Sequence, residues 1–197
     1  MNKDNRGTTL VELVVTFALL GIFMVSATFI IVYTSQLYYN TKGATNGLEV
    51  SNMIAEKVVG QIEGAKPSNP PQVTEGGDFD SITFTDATGS TVTVTAEEQT
   101  IERNVGGAVE TEVTTGKYIC IKYDQVKDGP VKYDAVDWRF DYKAYMGYVV
   151  TKLDFSDPGP DYPDNVVKMT LVLNSDKYGE YTTNYYIKCY NVEEIKY

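Results

Sequence analysis

Glu12 carries the chemistry that most needs explaining, because it is the only charged residue between Arg6 and Lys42 and it heads an uncharged apolar run, Leu13–Tyr33. An ionised carboxylate costs about 2.5–3.5 kcal/mol at the centre of a bilayer and less toward its edge, and such groups are found paired. A cationic partner is therefore expected. Gly7 lies five residues earlier and closes a short polar leader, MNKDNRG, which carries Lys3 and Arg6.

Three other sets of residues could do chemistry. Asp154, Asp157, Asp161 and Asp164 in LDFSDPGPDYPDN offer the hard oxygen ligands that calcium uses. Their spacing matches no EF-hand loop, and Asp-Pro-Gly segments also form ordinary solvated turns, so no metal or other cofactor is expected. Cys120 and Cys189 lie in the strand-like runs KYICIKY and YYIKCYNV. A disulfide between them would persist outside the cytoplasm and contribute about 4 kcal/mol by the loop-entropy model; two buried free thiols are the open alternative.

The chain has no histidine. That removes the commonest general base and every Ser-His or Cys-His nucleophile pair. A carboxylate-pair hydrolase is formally open to a chain with 27 acidic residues, but no spacing marks such a pair, and the expectation is not an enzyme. A net charge of −10 argues against binding nucleic acid. The sixteen tyrosines suit half-buried strand positions better than a dedicated ligand site, and Trp138 reads as core.

The elements that position these groups follow from hydrophobic pattern. The run behind Glu12 is longer than the 7–15 residues of a secretory signal core and long enough to cross a bilayer, which takes about 20 residues of helix. No proline appears before Pro67, and apolar residues recur at Ala44, Leu48, Ala55, Val58 and Ile62. A helix from Thr8 to about Glu63 is predicted, on the order of 80 Å long at 1.5 Å per residue. Its first half is apolar all round and its second half amphipathic. Gly43 and Gly47 each cost a helix about 1 kcal/mol and read as places for bending or local melting. The helix should end in EGAKPSNPPQ, with Gly64 as its cap and Pro67, Pro70 and Pro71 forbidding continuation.

Eight strand candidates follow: SITFT and TVTVT around a DATGS turn, AVETEVT and KYICIKY around a TG turn, then VDWRFDY, GYVVTKLDF, VVKMTLVL and YTTNYYIKCYNV. Strands without intervening helices argue for antiparallel sheet. The predicted fold is α+β, a long N-terminal helix packed on a C-terminal antiparallel β domain. The segments are a leader at 1–7, a transmembrane and assembly helix at 8–33, its amphipathic continuation at 34–65, and an extracytoplasmic β domain at 66–197.

G-T-T-L-V-E-L, with Gly21 inside the apolar helix that follows, resembles the class III signal of type IV prepilins and type II secretion pseudopilins. The resemblance implies cleavage by prepilin peptidase between Gly7 and Thr8 and methylation of the new Thr8 amine. It also implies pairing of Glu12, the fifth mature residue, with the N-terminal amine of a neighbouring subunit, which sets assembly register. Thr8 stands where the family usually has Phe, and Phe29 stands where major pilins usually have a kinking proline, which points to a minor pilin. The strand order is similar to that of β-rich minor pilins: the J-type pseudopilin, the PilW-like group and a Gram-positive competence pseudopilin. The implied partners are prepilin peptidase, other pilin or pseudopilin subunits and the membrane. The implied location is a single pass in the inner or cytoplasmic membrane, then an extracytoplasmic filament or the cell surface. A plain anchor carrying an uncleaved surface binding module is the competing expectation.

Overall fold

The computed structural model describes residues 9–105, 108–126 and 134–197, with the side chains of 101–115 excepted. One helix, α1, spans Leu10–Ile62, and an eight-stranded sheet follows it, so the α+β class is observed. By internal contacts the chain divides between Lys42 and Gly43 into two units.

In the first unit α1 is bare. Phe17, Phe23 and Phe29 are 65%, 71% and 71% exposed, in keeping with a helix that is apolar on every side. Three hydroxyls in its apolar run do not interrupt that surface, because they bond carbonyls four residues back: Thr16 to Glu12 at 2.7 Å, Ser26 to Ile22 at 2.9 Å and Thr28 to Met24 at 2.9 Å. Backbone and side-chain polar groups satisfied within the segment are what a hydrocarbon environment requires.

The second unit holds Gly43–Ile62 of α1 and strands β1 (Gln72–Thr74), β2 (Ser81–Thr85), β3 (Thr91–Val105), β4 (Ala108–Tyr123), β5 (Val136–Arg139), β6 (Val149–Ser156), β7 (Val166–Ser175) and β8 (Gly179–Lys188). Every strand pairing is antiparallel, in the order β1-β2-β3-β4-β6-β7-β8, with β5 paired to β4 outside that path. The period-two pattern sets the faces. Ile82 pairs with Val94 and Phe84 with Val92, all four buried, while Thr83 and Thr93 pair between them and join hydroxyls at 3.1 Å. DATGS is the turn the sequence predicts. Asp86 Oδ1 accepts from the amides of Thr88 and Ser90, and Gly89 supplies φ +95°.

The predicted TG turn does not form. AVETEVT and KYICIKY run on as the single strand β4, and β3 is nearly as long, pairing with it as far as Val105 with Ala108. Gly116 lies inside β4 because Val149 of β6 packs where its Cβ would be. The ladder also slips here, Glu98 pairing with Lys117 and Thr100 with Val113. A glycine within a strand marks a bulge or a close approach as readily as a turn.

Other predicted boundaries also move. VDWRFDY leaves the sheet after Arg139 and tightens into a 3-10 turn, Tyr142–Tyr145, whose first amides are served by Asp141. YTTNYYIKCYNV stops being strand at Lys188, where Asn165 takes the Cys189 amide, and the short β1 was not foreseen. Trp138 is half-buried against the core, with Lys57 Nζ 4.6 Å from its ring centroid.

Against the sheet, α1 presents two parallel ridges of four-residue period. Val50, Ile54, Val58 and Ile62 form the apolar ridge, and Gly43, Gly47, Ser51 and Ala55 form the small one; all eight are buried. Ala55, Val58 and Ile62 were predicted inside, but Ala44 and Leu48 are exposed. Glycines take the inner face at this end because tyrosine rings lie on it. A Cβ on Gly43 would come within 2.9 Å of Tyr178 Cβ, and one on Gly47 within 2.6 Å of Tyr181 Cγ. The helix runs unbroken through both, and each is a docking point within the second unit.

Three tyrosine hydroxyls fasten the same helix. Tyr148 donates to the Gly43 carbonyl at 2.9 Å, Tyr185 to Asn52 Oδ1 at 3.1 Å and Tyr123 to Gln61 Oε1 at 3.0 Å. Gly64 has no positive φ and does not cap the helix. The end is closed instead by Ala65 N–H to the Ile62 carbonyl at 3.1 Å and Lys66 N–H to the Thr85 carbonyl at 2.8 Å.

Candidate functional site

The head of α1 holds Glu12 in a way the residue pair Thr9 and Glu12 dictates. Thr9 precedes the first helical residue, and its Oγ1 accepts from the Glu12 amide at 3.3 Å. In return the Thr9 amide donates to Glu12 Oε2 at 2.8 Å, and the Thr9 hydroxyl reaches the same oxygen at 3.1 Å. This is a reciprocal capping box, which satisfies helix-end amides that lipid could not. Thr9 was not among the residues the sequence singled out, although Thr-x-x-Glu ahead of an apolar run is the signal that finds it.

Gly7 and Thr8, the expected cleavage and methylation positions, and the 1–7 leader lie outside the described residues. Glu12 is exposed, and so is every apolar residue from Leu10 to Leu20. The helix is long and apolar enough to cross a membrane.

The other residues singled out by sequence are held apart in the second unit. Cys120 in β4 and Cys189 beyond β8 are both buried free thiols. Cys120 lies beside the Arg139 guanidinium, which also pairs with Glu97 at 3.2 Å and Asp137 at 3.3 Å; burial pushes its thiol up despite that cation. Cys189 rests on the end of α1, its Sγ 3.6 Å from the Ile62 carbonyl, and burial, with Glu63 adding to it, pushes its thiol from 9.0 to about 12.

The four aspartates do not assemble a cation site. Asp154 faces Lys152 and Ser156 on β6, and Asp157 accepts from the Gly159 amide at 2.8 Å as a turn residue. Asp157 and Asp164 line a cleft of about 120 Å³ with Glu194 and Tyr197, without Asp154 or Asp161. Among the described residues no three His, Cys, Asp or Glu side chains are grouped closely enough to hold a metal.

The tyrosines of the second unit are mostly structural. Tyr145 is fully buried, and its hydroxyl accepts from the Ile119 amide at 2.9 Å. Tyr162 stacks on Tyr186 at 4.7 Å on the surface.

Residues 2–28 match the family model of the prokaryotic N-terminal methylation motif, which is characteristic of type IV pilin-like proteins. No curated protein and no solved structure matches the chain. The matched stretch contains Gly7, Thr9, Glu12 and Gly21 together with most of the bare apolar surface.

Proposed function

We propose that the chain is a minor pilin or pseudopilin subunit, cut by prepilin peptidase after Gly7 and assembled through its N-terminal helix into a type IV pilus-like filament. One observation carries this reading: an apolar helix bare on all sides, headed by a lone carboxylate at the spacing of the methylation motif. Such a surface needs lipid around it before assembly and other helices around it afterwards. The protein works by assembly and performs no catalysis in this reading. Methylation falls on the Thr8 amine, and the β domain is displayed outside the cell.

Glu12 has two successive partners in this scheme. In the unassembled subunit it caps its own helix through Thr9. In the filament the Thr8 amine of a neighbour supplies the opposite charge in a low-dielectric setting, where an unpaired carboxylate is too costly to persist. Phe29 in place of a kinking proline, and Thr8 in place of phenylalanine, support a minor over a major subunit, and the strand-rich domain supports the J-type, PilW-like or competence group.

Intact-mass measurement of the membrane-extracted protein with and without prepilin peptidase tests the processing step. Loss of Met1–Gly7 only when the peptidase is present is expected. Full retention of the leader in its presence overturns the reading and leaves an uncleaved surface-anchored binding module. Glu12→Ala should still insert and be cleaved while entering filaments poorly; normal incorporation would remove the register role.

A further inference from the structure

We infer that Tyr33, Tyr38 and Tyr39 form a belt that sits in the lipid headgroup layer on the outer side of the membrane and fixes the depth of the span. The inference rests on the membrane-spanning part of the proposed function and adds a partner, the headgroup region, with the residues that contact it.

The first argument is a switch in aromatic type along α1. Every aromatic residue from Leu10 to Val32 is phenylalanine, at Phe17, Phe23 and Phe29, and every one from Tyr33 to Lys42 is tyrosine. A ring without a polar atom suits hydrocarbon, whereas a ring with a hydroxyl suits a boundary that is apolar on one side and wet on the other. The switch coincides with the return of polar residues in Thr34, Ser35 and Gln36.

The second argument is length. The twenty residues Leu13–Val32 carry no charge and, as helix, cover about 30 Å, the thickness of a bilayer's hydrocarbon core. Glu12 then falls at the inner boundary and Tyr33 at the outer one.

The third argument separates lipid from a protein partner. At 100° per residue the three tyrosines lie at about 0°, 140° and 240° around the helix, so they encircle it. Their exposures are 69%, 58% and 48%. A protein docking face would gather them on one side; an environment equal in every direction spreads them. Lys42, the first charge after Glu12, reaches back to place its Nζ 5.8 Å from the Tyr38 ring centroid, as a snorkelling cation at the same boundary does.

The test uses the full chain in vesicles of phosphatidylcholine and phosphatidylglycerol, with single tryptophans introduced as Tyr33→Trp, Tyr38→Trp, Tyr39→Trp and, in the span, Phe23→Trp. The signal of Trp138, common to all, is subtracted using the unsubstituted protein. Lipids brominated near the ester end of the acyl chain should quench tryptophan at 33, 38 and 39 about twofold more than lipids brominated near the methyl end, with the order reversed at 23. Quenching of all three boundary positions by aqueous iodide and by neither lipid overturns the belt. So does quenching of one position with the other two shielded from lipid and iodide alike, which is the mark of a protein contact. Leader processing is read separately by mass. An uncleaved chain that shows the expected depth profile keeps the belt and loses the filament reading, and a cleaved chain without the profile does the reverse.

Discussion

Leu10–Lys42 and Gly43–Ile62 belong to one helix, yet the first leaves its apolar side chains bare while the second buries an apolar ridge, Val50, Ile54, Val58 and Ile62, beside a small one. The first stretch exposes phenylalanine, leucine and isoleucine, while the second buries two glycines and a serine. The cause lies in what faces each stretch. Within the second unit, tyrosine rings from β8 and from the β7–β8 turn occupy the volume that side chains at Gly43 and Gly47 would need, and Tyr148 beside β6 bonds the Gly43 carbonyl. Among the described residues of the first unit, nothing covers its apolar surface. Burial in one stretch is thus completed within the fold, and in the other it is not.

Removing a large side chain from each stretch should separate the two most strongly. Ile54→Ala deletes a fully buried group and should cost the β domain about 2–5 kcal/mol in urea unfolding followed by Trp138 fluorescence in micelles. Phe23→Ala should leave that transition where it is. A shared loss would mean the two stretches are not energetically separate.

Adding bulk tests the same contrast in reverse. Gly47→Val drives a side chain into Tyr181 and should destabilise by about 1–3 kcal/mol, whereas Gly60→Ala, with nothing within 4 Å of its new methyl, should stabilise by up to about 1 kcal/mol. Gly21→Ala meets nothing within 4 Å either and should not move the domain transition at all.

A smaller effect belongs to the head of the helix. Thr9→Val removes the side-chain half of the capping box and should cost about 0.5–2 kcal/mol of local stability, read as faster amide exchange at Leu10–Leu13 in micelles. Thr9→Ser should restore protection. Equal exchange in all three proteins would show that the cap does not hold the helix end.

The last effect is a loss that sets in only at alkaline pH. Burial raises the Cys189 thiol from 9.0 to about 12 and the Tyr197 phenol from 10.0 to about 12, Asp157 adding to the latter. Both groups are held neutral in the folded domain, so their contribution is whole below the pH at which the unfolded groups ionise and is lost as pH rises toward the folded values. The thermal midpoint of the domain should fall between about pH 9 and pH 12, and Cys189→Ala should make the fall shallower. The same slope in both proteins would exclude the thiol.

Much of this was legible in the residues themselves. The uncharged run, the absence of proline before Pro67 and the alternating threonines of SITFT and TVTVT report local chemistry, and local chemistry decides helix, strand and the α+β class. What stayed hidden depends on a distant partner. Gly43 and Gly47 read as weak points because the rings of Tyr178 and Tyr181 lie more than a hundred residues away in sequence. Gly116 reads as a turn because Val149 is invisible from position 116. The cysteines left two outcomes open for the same reason, since only the fold could set one beside Arg139 and the other against Ile62. At the candidate site the lone carboxylate was plain, but its hydroxyl partner at Thr9 needed the helix start to be located first.

The two ridges of α1 repeat every four residues, so moving the helix along its axis by one turn would put Gly47 where Gly43 was and Ile54 where Val50 was, with similar shapes meeting the sheet. Steric fit therefore distinguishes neighbouring positions of the helix only weakly. The three tyrosine hydroxyls make the distinction. Their acceptors, Gly43, Asn52 and Gln61, are nine residues apart, which places successive fastenings on opposite flanks at about 180°. A pull directed along the helix loads all three in shear at once; a one-turn slip would replace the Gly43 carbonyl with another backbone carbonyl, but it would bring Leu48 or Glu56 to the place of Asn52 and Lys57 or Ala65 to that of Gln61, so the two side-chain amide acceptors are lost in either direction.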